Sequence, residues 1–289
     1  MRGTNLSKTN PNVLIVTRTR SRPQLLMRAV DSVCAQTFRD FTWVIVNDGG
    51  EEEPVEKAAA AARLKGVNPL VLRIPVSRGM EAASNAGVRS AASEFVAIHD
   101  DDDSWAPKFL ERTTAFLAAQ PDFAAVTTHC ARIEERIEGS TIRDVRRSPH
   151  KPVLTCVHLA DMLQRNLFPP ISLLYRREVF EAVGGYDESM AVLGDWDFNI
   201  KVLMKGEIGV LPDVLANYHV RIGTSPSSTD RNSITPGATQ QQIAEAAYRN
   251  RMLRRDLAEG RAGLGLLLAL SRPQNRGSFR SRFMAWFKK

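Results

Sequence analysis

Four aspartates, Asp100, Asp101, Asp102 and Asp103, follow the apolar run "EFVAIH" at residues 94–99. With a reference pKa of about 4 each is ionised at neutral pH, and consecutive charges of one sign repel unless something positive sits among them. Oxygen ligands with no His or Cys cluster nearby suit a hard divalent cation, Mg2+ or Mn2+, and argue against zinc. The plain alternative is a solvated loop capping the helix that begins near Pro107; one aspartate would do that, and four exceed the need. A further carboxylate, Asp195, opens the stretch "GDWDFNIKVL". Its position before an apolar helix suits an N-cap.

The elements that must carry these groups alternate. "NVLIVT" at 12–17 is a short β-branched run that reads as a buried strand, followed by a helix over "SRPQLLMRAVDSVCAQ" with capping-box spacing at Ser21 and Gln24 and Pro23 in its first turn. "FTWVIVNDGG" repeats the pattern before an Ala-rich helix at 51–65; "LVLRIP" and "EFVAIH" are two more strands flanking a helix in "GMEAASNAGVRSAA". Strands alternating with helices predict a parallel α/β sheet covered on both faces, whose ligands collect at the carboxyl ends of the strands. Thr17, Asp48 and the four aspartates share that rim. Further on, "FAAVTTHCARIEE" reads as a strand, "TIRDVRRSPHKP" as an exposed connection and "ISLLYRREVFEAVGGYDES" as strand, helix and glycine-terminated turn. "GDWDFNIKVL" reads as a helix, "IGVLPDVLANYHV" as two short strands around Pro212, and 221–237 as a mobile loop or lid.

At 289 residues with 43% hydrophobic content the chain has ample material for a large core. No apolar stretch near the N-terminus resembles a secretory signal, and the longest apolar run, "LGLLLAL", is far shorter than a membrane span, so a cytoplasmic location is expected. Cys34, Cys130 and Cys156 lie far apart and form no knuckle or disulfide pattern. The formal charge of +7 belongs to the tail: residues 249–289 hold 11 basic and 2 acidic side chains, which leaves 28 basic and 30 acidic before them. A nearly neutral body gives little support to nucleic-acid binding. In the tail, "SFRSRFMAWFKK" spaces aromatics among basic residues at helical intervals. It reads as an interfacial helix on an anionic membrane surface through 278–289, in preference to a helix folded back on the domain.

The blocks "NVLIVTRTRSRPQLLMRAVDSVCAQTF", "VIVNDGG", "RGMEAASNAGVRSA", "VAIHDDDDSWAPKFLE" and "VGGYDESMAVLGDWDFNIKVL" occur in the order and spacing of family 2 glycosyltransferases. Over about residues 12–222 the chain resembles that family. The resemblance implies the GT-A fold, a Rossmann-like, mostly parallel sheet with helices on both faces. It divides the matched part into a nucleotide-binding half (12–103) and an acceptor-side half (104–222); composition adds a flexible lid or linker (223–248) and a basic amphipathic helical tail (249–289). It also implies a metal-dependent, inverting transfer of a sugar from a nucleotide diphosphate, UDP by frequency, to a hydroxyl of a glycan or lipid-linked acceptor, in envelope or polysaccharide synthesis. Carried over by position, Thr17 and Asp48 hold the base, Asp102 ligates Mn2+ or Mg2+ with Asp100 at the ribose or metal, and Asp103 supports the sugar side. Asn85 borders the diphosphate and donor sugar, Asp195 deprotonates the acceptor, and Trp196 floors the sugar site.

The chain departs from the family at three places. Arg18 stands where an aromatic commonly stacks on the base, and its guanidinium could stack instead. Ser84 replaces a frequent diphosphate-binding arginine, for which Arg78 or Arg221 could compensate. Arg221 stands where a histidine is frequent, so Arg221 or His219 could reach the phosphates. A nucleotidyltransferase is the main rival, but "TRTRSRPQ" lacks the glycine-rich phosphate loop such enzymes carry after the first strand. A glycan- or lipid-binding protein on a decayed scaffold would have no need of Asp48, Asp102 and Asp195 together.

Overall fold

Four apolar runs become the strands β1 (Val13–Thr19), β2 (Phe41–Asp48), β3 (Leu70–Ile74) and β4 (Phe95–Ile98), paired in parallel in the order β3-β2-β1-β4. The computed structural model describes residues 13–139, 141–150, 154–223 and 239–271. β1, β2 and β4 carry apolar runs at residues 13–16, 43–46 and 95–98 because both their faces are covered there. Val13, Ile15, Trp43, Ile45 and Ala97 join the core under α1 (Pro23–Cys34) and α2 (Glu52–Leu64). Leu14, Val16, Val44, Val46 and Ile98 join the core under α3 (Met80–Arg89). α3 lies so close to the sheet that a Cβ on Gly87 would stand 2.4 Å from Val16 Cγ1.

Beyond β4 the sheet becomes mixed. β8 (Leu173–Arg176) runs antiparallel between β4 and β6 (Phe123–Glu138); β9 (Glu207–Arg221) is parallel to β6, and the short β5 (Ser104–Trp105) closes the far edge. Among the described residues the sheet has nine strands, and most run one way, with helices α4 (Phe109–Ala119), α5 (Leu159–Gln164), α6 (Arg177–Val183) and α7 (Gly194–Leu203) packed around it. The expected α/β architecture is therefore present.

Several local readings change. The stretch expected as an exposed connection is β7 (Thr141–Pro149), which forms a hairpin arm with β6. The two strands expected around Pro212 are one, β9, because a register shift opposite Thr128, His129 and Cys130 lets the proline pass without breaking the ladder. The Ser21–Gln24 capping box does not form. Ser21 sits at φ 53°, Arg22 is the N-cap without a side-chain bond, and Gln24 donates to the Gly139 carbonyl.

The predicted lid at 223–248 is helical from residue 239, where α8 (Thr239–Ala258) begins and runs into α9 (Leu264–Leu270). This hairpin docks on α7. Arg249 donates to the carbonyls of Leu268 (2.7 Å) and Gln164 (3.0 Å) and lies over the Trp196 ring, while the Tyr248 hydroxyl donates to Asp197 at 2.9 Å. The remainder of the lid, 224–238, and the aromatic tail at 278–289 lie outside the described residues. Among the described residues no helix is long and apolar enough to cross a membrane.

Candidate active site

β4 delivers the chain to the rim through His99, whose backbone N–H bonds the Val16 carbonyl and whose ring is held by Ser32 Oγ at 2.9 Å. Burial pushes that imidazole down to about 4, so it is neutral at physiological pH. The aspartates that follow split into two pairs. Asp100 and Asp102 keep partial exposure (22% and 16% of the side chain) on the cleft, while Asp101 and Asp103 turn inward. The positive charge among them comes from arginines. Arg18 donates to Asp100 from Nε at 3.0 Å, Arg22 to Asp102 at 3.0 Å, and Arg221 to Asp102 at 2.6 Å; Arg28 reaches the Asp102 carbonyl. Asp101 accepts from Thr19 Oγ1 (2.7 Å) and pairs with Arg22 (3.3 Å), and Asp103 accepts from the His219 backbone N–H (2.8 Å).

Burial acts on all of these groups and the arginines decide the outcome. For Asp102, burial works toward neutrality, but Arg22 and Arg221 hold the carboxyl down to about 2. Burial lifts Asp101 to about 7 and Asp103 well above the usual carboxylate range. The rim therefore offers one firmly ionised, partly open carboxylate at Asp102 and two sheltered ones beneath it.

The nucleotide-side residues named from the sequence are placed as follows. Thr17 is fully buried with its hydroxyl accepting from the Trp43 indole at 2.9 Å, so it braces β1 against β2 and presents nothing to a ligand. Asp48 accepts from Ser77 Oγ (2.7 Å) and from the backbone N–H groups of Arg78 (2.8 Å) and Gly79 (3.1 Å), fixing the loop that enters α3. Arg18 is held against Asp100, Ser84 Oγ (3.0 Å) and the Met80 carbonyl (3.3 Å), which leaves it in no position to stack on a base. That contact puts a guanidinium beside Ser84. Arg78 instead pairs outward with Glu188 at 3.0 Å. Asn85 is buried and ties α3 to the turn after α6, donating to the Tyr186 carbonyl and accepting from its N–H, both at 2.9 Å. It joins the two halves and does not face open space.

Asp195 comes from the opposite side. Leu193 in the left-handed region (φ 69°) swings the chain into α7, Gly194 passes so close to Glu81 that a Cβ would stand 2.3 Å from its carboxyl carbon, and Asp195 follows in the first turn. Asn166 donates to Asp195 Oδ2 at 2.6 Å and is itself oriented by Asn199 at 3.1 Å. Leu193 is the N-cap of α7, which removes the simple capping role for Asp195. Trp196 points away from the cleft. It is 2% exposed, donates to the Met162 carbonyl and packs on Tyr248, so it anchors α7 and provides no floor for a sugar. Glu81 lies within electrostatic reach of both Asp195 and Asp100, and Tyr218 of Asp102, Asp103, Asp195 and Asp100, so Asp195 and the rim aspartates share one electrostatic neighbourhood.

Sequence reasoning missed Glu81, Arg22, Arg28, Asn166 and Tyr218, and it missed a convergence of Glu135, Asp144 and His219, whose ligand atoms lie within 4.8 Å of one another. Glu135 is fully buried and accepts from His219 Nδ1 (2.9 Å) and Arg28 (2.7 Å). The alternating arginines of "TRTRSR" at the end of β1 were a readable sign of an anionic partner, though not of which one; Asn166 carried none.

The sequence profile described as glycosyl transferase family 2 matches residues 13–184. An uncharacterized glycosyltransferase of Bacillus subtilis strain 168, YwdF, is 28% identical over 234 residues, 81% of each chain. Among solved structures, S. aureus TarS 1–349 in complex with UDP-GlcNAc is similar with a TM-score of 0.61 at 19% identity, covering 84% of this chain and 66% of that one. Mannosyltransferase PcManGT from Pyrobaculum calidifontis, in complex with GDP-Man and Mn2+, gives 0.60 at 18% identity over 90% of this chain and 68% of that one. The structural likeness establishes the shared fold. The profile runs from the first residue of β1 to the glycine that ends α6, more than half of the sequence, and the chain belongs to glycosyltransferase family 2.

Proposed function

We propose that this glycosyltransferase moves a sugar from a nucleoside diphosphate donor to an acceptor hydroxyl with inversion at the anomeric carbon. The reading is supported by an arginine-braced aspartate rim and a carboxylate fixed by Asn166, Asp195, both within electrostatic reach of Glu81 and Tyr218. The fold neighbours crystallised with UDP-GlcNAc and with GDP-Man and Mn2+ support the donor class.

The donor set suits a hard dication. Asp102 is ionised to low pH and partly open, and Asp100 lies beside it with similar exposure, both as oxygen ligands. A cation bound there would neutralise charge building on the departing diphosphate. Arg18, Arg22 and Arg221 have the same task from the protein side, since each already holds an anionic oxygen at the rim. At the other wall Asn166 fixes one oxygen of Asp195 and leaves the carboxylate oriented to accept the acceptor's proton. In the transfer, the acceptor oxygen forms its bond to the anomeric carbon as the carbon–phosphate oxygen bond breaks. The electron pair leaves on the diphosphate and the proton passes to Asp195. Base and leaving group stand on opposite walls, so attack comes from the face away from the phosphate and inverts the centre.

Asp195→Asn tests the base. The amide oxygen still accepts from Asn166, so the fold should stand, while transfer measured as nucleotide release in the presence of acceptor should fall by about 10²–10⁴-fold. Retention of more than a tenth of the parent rate would remove Asp195 from the chemistry. A nucleotidyltransferase would instead release pyrophosphate from a nucleoside triphosphate and a sugar phosphate.

A further inference from the structure

β6 changes neighbours in mid-strand. On one side Thr127 pairs with Leu173 of β8, and from Ala131, paired with Pro149, the neighbour is β7. Beside Thr128, His129 and Cys130 the wall is made by Leu154 and by Leu167, Phe168 and Pro169, and a cavity of ≈ 330 Å³ opens between them. That is about twice the ~150 Å³ that encloses benzene in a dry protein cavity. Its lining is chiefly apolar, with Pro149 and the half-exposed Val214 completing the walls and Arg147 bringing a charge. His129 Nε2 is already committed to the Leu154 carbonyl at 2.8 Å.

Two links run from the cavity lining toward Asp195. Asn166, which holds Asp195, is the residue before Leu167. His150, another lining residue, packs edge-on against Tyr218 at 4.8 Å, and Tyr218 lies within electrostatic reach of Asp195 and the rim aspartates.

We infer that this cavity receives the apolar body of the acceptor, an amphiphilic alcohol whose aryl or short alkyl portion seats against Leu154, Leu167 and Phe168 while its hydroxyl reaches Asp195. Apolar surface gains by leaving water for this lining, whereas a wholly polar saccharide would strand its hydroxyls against it. Pockets of this size with an apolar lining and few polar groups are the usual form of a small-molecule site. The inference rests on the transferase reading of the same cleft and specifies its acceptor class.

The test compares phenyl β-D-glucoside with methyl β-D-glucoside, titrated into the full chain by calorimetry. The phenyl compound should bind at least tenfold more tightly. Val214→Trp, at a half-exposed position that folding tolerates, fills the cavity and should bring that ratio below threefold. Leu154→Gln makes the lining polar and should act in the same direction. In both variants thermal stabilisation by UDP-GlcNAc or GDP-Man with Mn2+ should stay as in the parent. Equal binding of the two glucosides, or a ratio unmoved in both variants, overturns the inference. Absence of nucleotide-sugar stabilisation in the parent counts against the donor reading instead, and the glucoside ratio still decides the cavity.

Discussion

Glu81→Gln gives a prediction whose size can be worked out. The Glu81 carboxyl is 5% exposed, presses on Gly194, and has its cation partner, Arg18, at 3.9 Å. Burial outweighs Arg18 and, with the repulsion of Asp195 and Asp100, lifts the group from its ordinary 4.5 to about 7. Between these two values the folded chain holds a proton that the unfolded chain releases, so stability falls as pH rises from 4.5 through 7. The interval from 4.5 to about 7, at about 1.4 kcal/mol per pH unit, amounts to ~3 kcal/mol above pH 7. Glutamine keeps the shape and can still accept from Arg18 but carries no charge. Urea denaturation of both proteins at pH 5, 6, 7 and 8 should therefore give nearly equal stabilities at pH 5. At pH 8 the variant should be ahead by about 2–3 kcal/mol. Asp101 and Asp103 titrate in both proteins and cancel in the difference. A gap that is the same at pH 5 and pH 8 would refute the reasoning.

Three other substitutions probe the frame and the rim. Gly87→Ala drives a Cβ to 2.4 Å from Val16 Cγ1 and should cost about 1–3 kcal/mol, read from the denaturation midpoint; a neutral outcome would mean that α3 stands off the sheet. Tyr248→Phe removes the hydroxyl that donates to fully buried Asp197 and should cost about 1–3 kcal/mol, with the slope of the urea curve unchanged. Asp102→Asn should weaken Mn2+-dependent binding of UDP-GlcNAc or GDP-Man by at least tenfold in Kd; unchanged affinity would take Asp102 out of the donor site.

The parallel half of the fold was legible because β1, β2 and β4 are buried on both faces and therefore read as apolar runs, each stopped by polar residues at the rim. β7 was not, since "TIRDVRRSP" builds an arm largely exposed on both faces and has no apolar alternation to betray it. Pro212 looked like a chain break because a proline cannot donate to a ladder, and only the paired strand's irregular register shows how it is accommodated. Within the site, the acidic quartet and Asp195 stood out as residue types in telling contexts. What they touch did not: Arg18 meets Asp100 across 82 residues and Arg221 meets Asp102 across 119, distances over which local pattern carries no information. Trp196 and Thr17 were assigned to ligands by the family resemblance, and both side chains are turned toward the core.

The helix that presents Asp195 is gripped from behind by a segment about fifty residues downstream, through the Arg249 side chain laid on Trp196 and Tyr248 bonded to Asp197. The family profile ends at residue 184, short of both partners in that grip. Asp195 and the segment that grips its helix thus both lie beyond the matched profile, while Asp100 to Asp103 lie within it. A substitution in α8 or α9 can therefore shift the helix that carries Asp195 without touching the loop that carries the four aspartates.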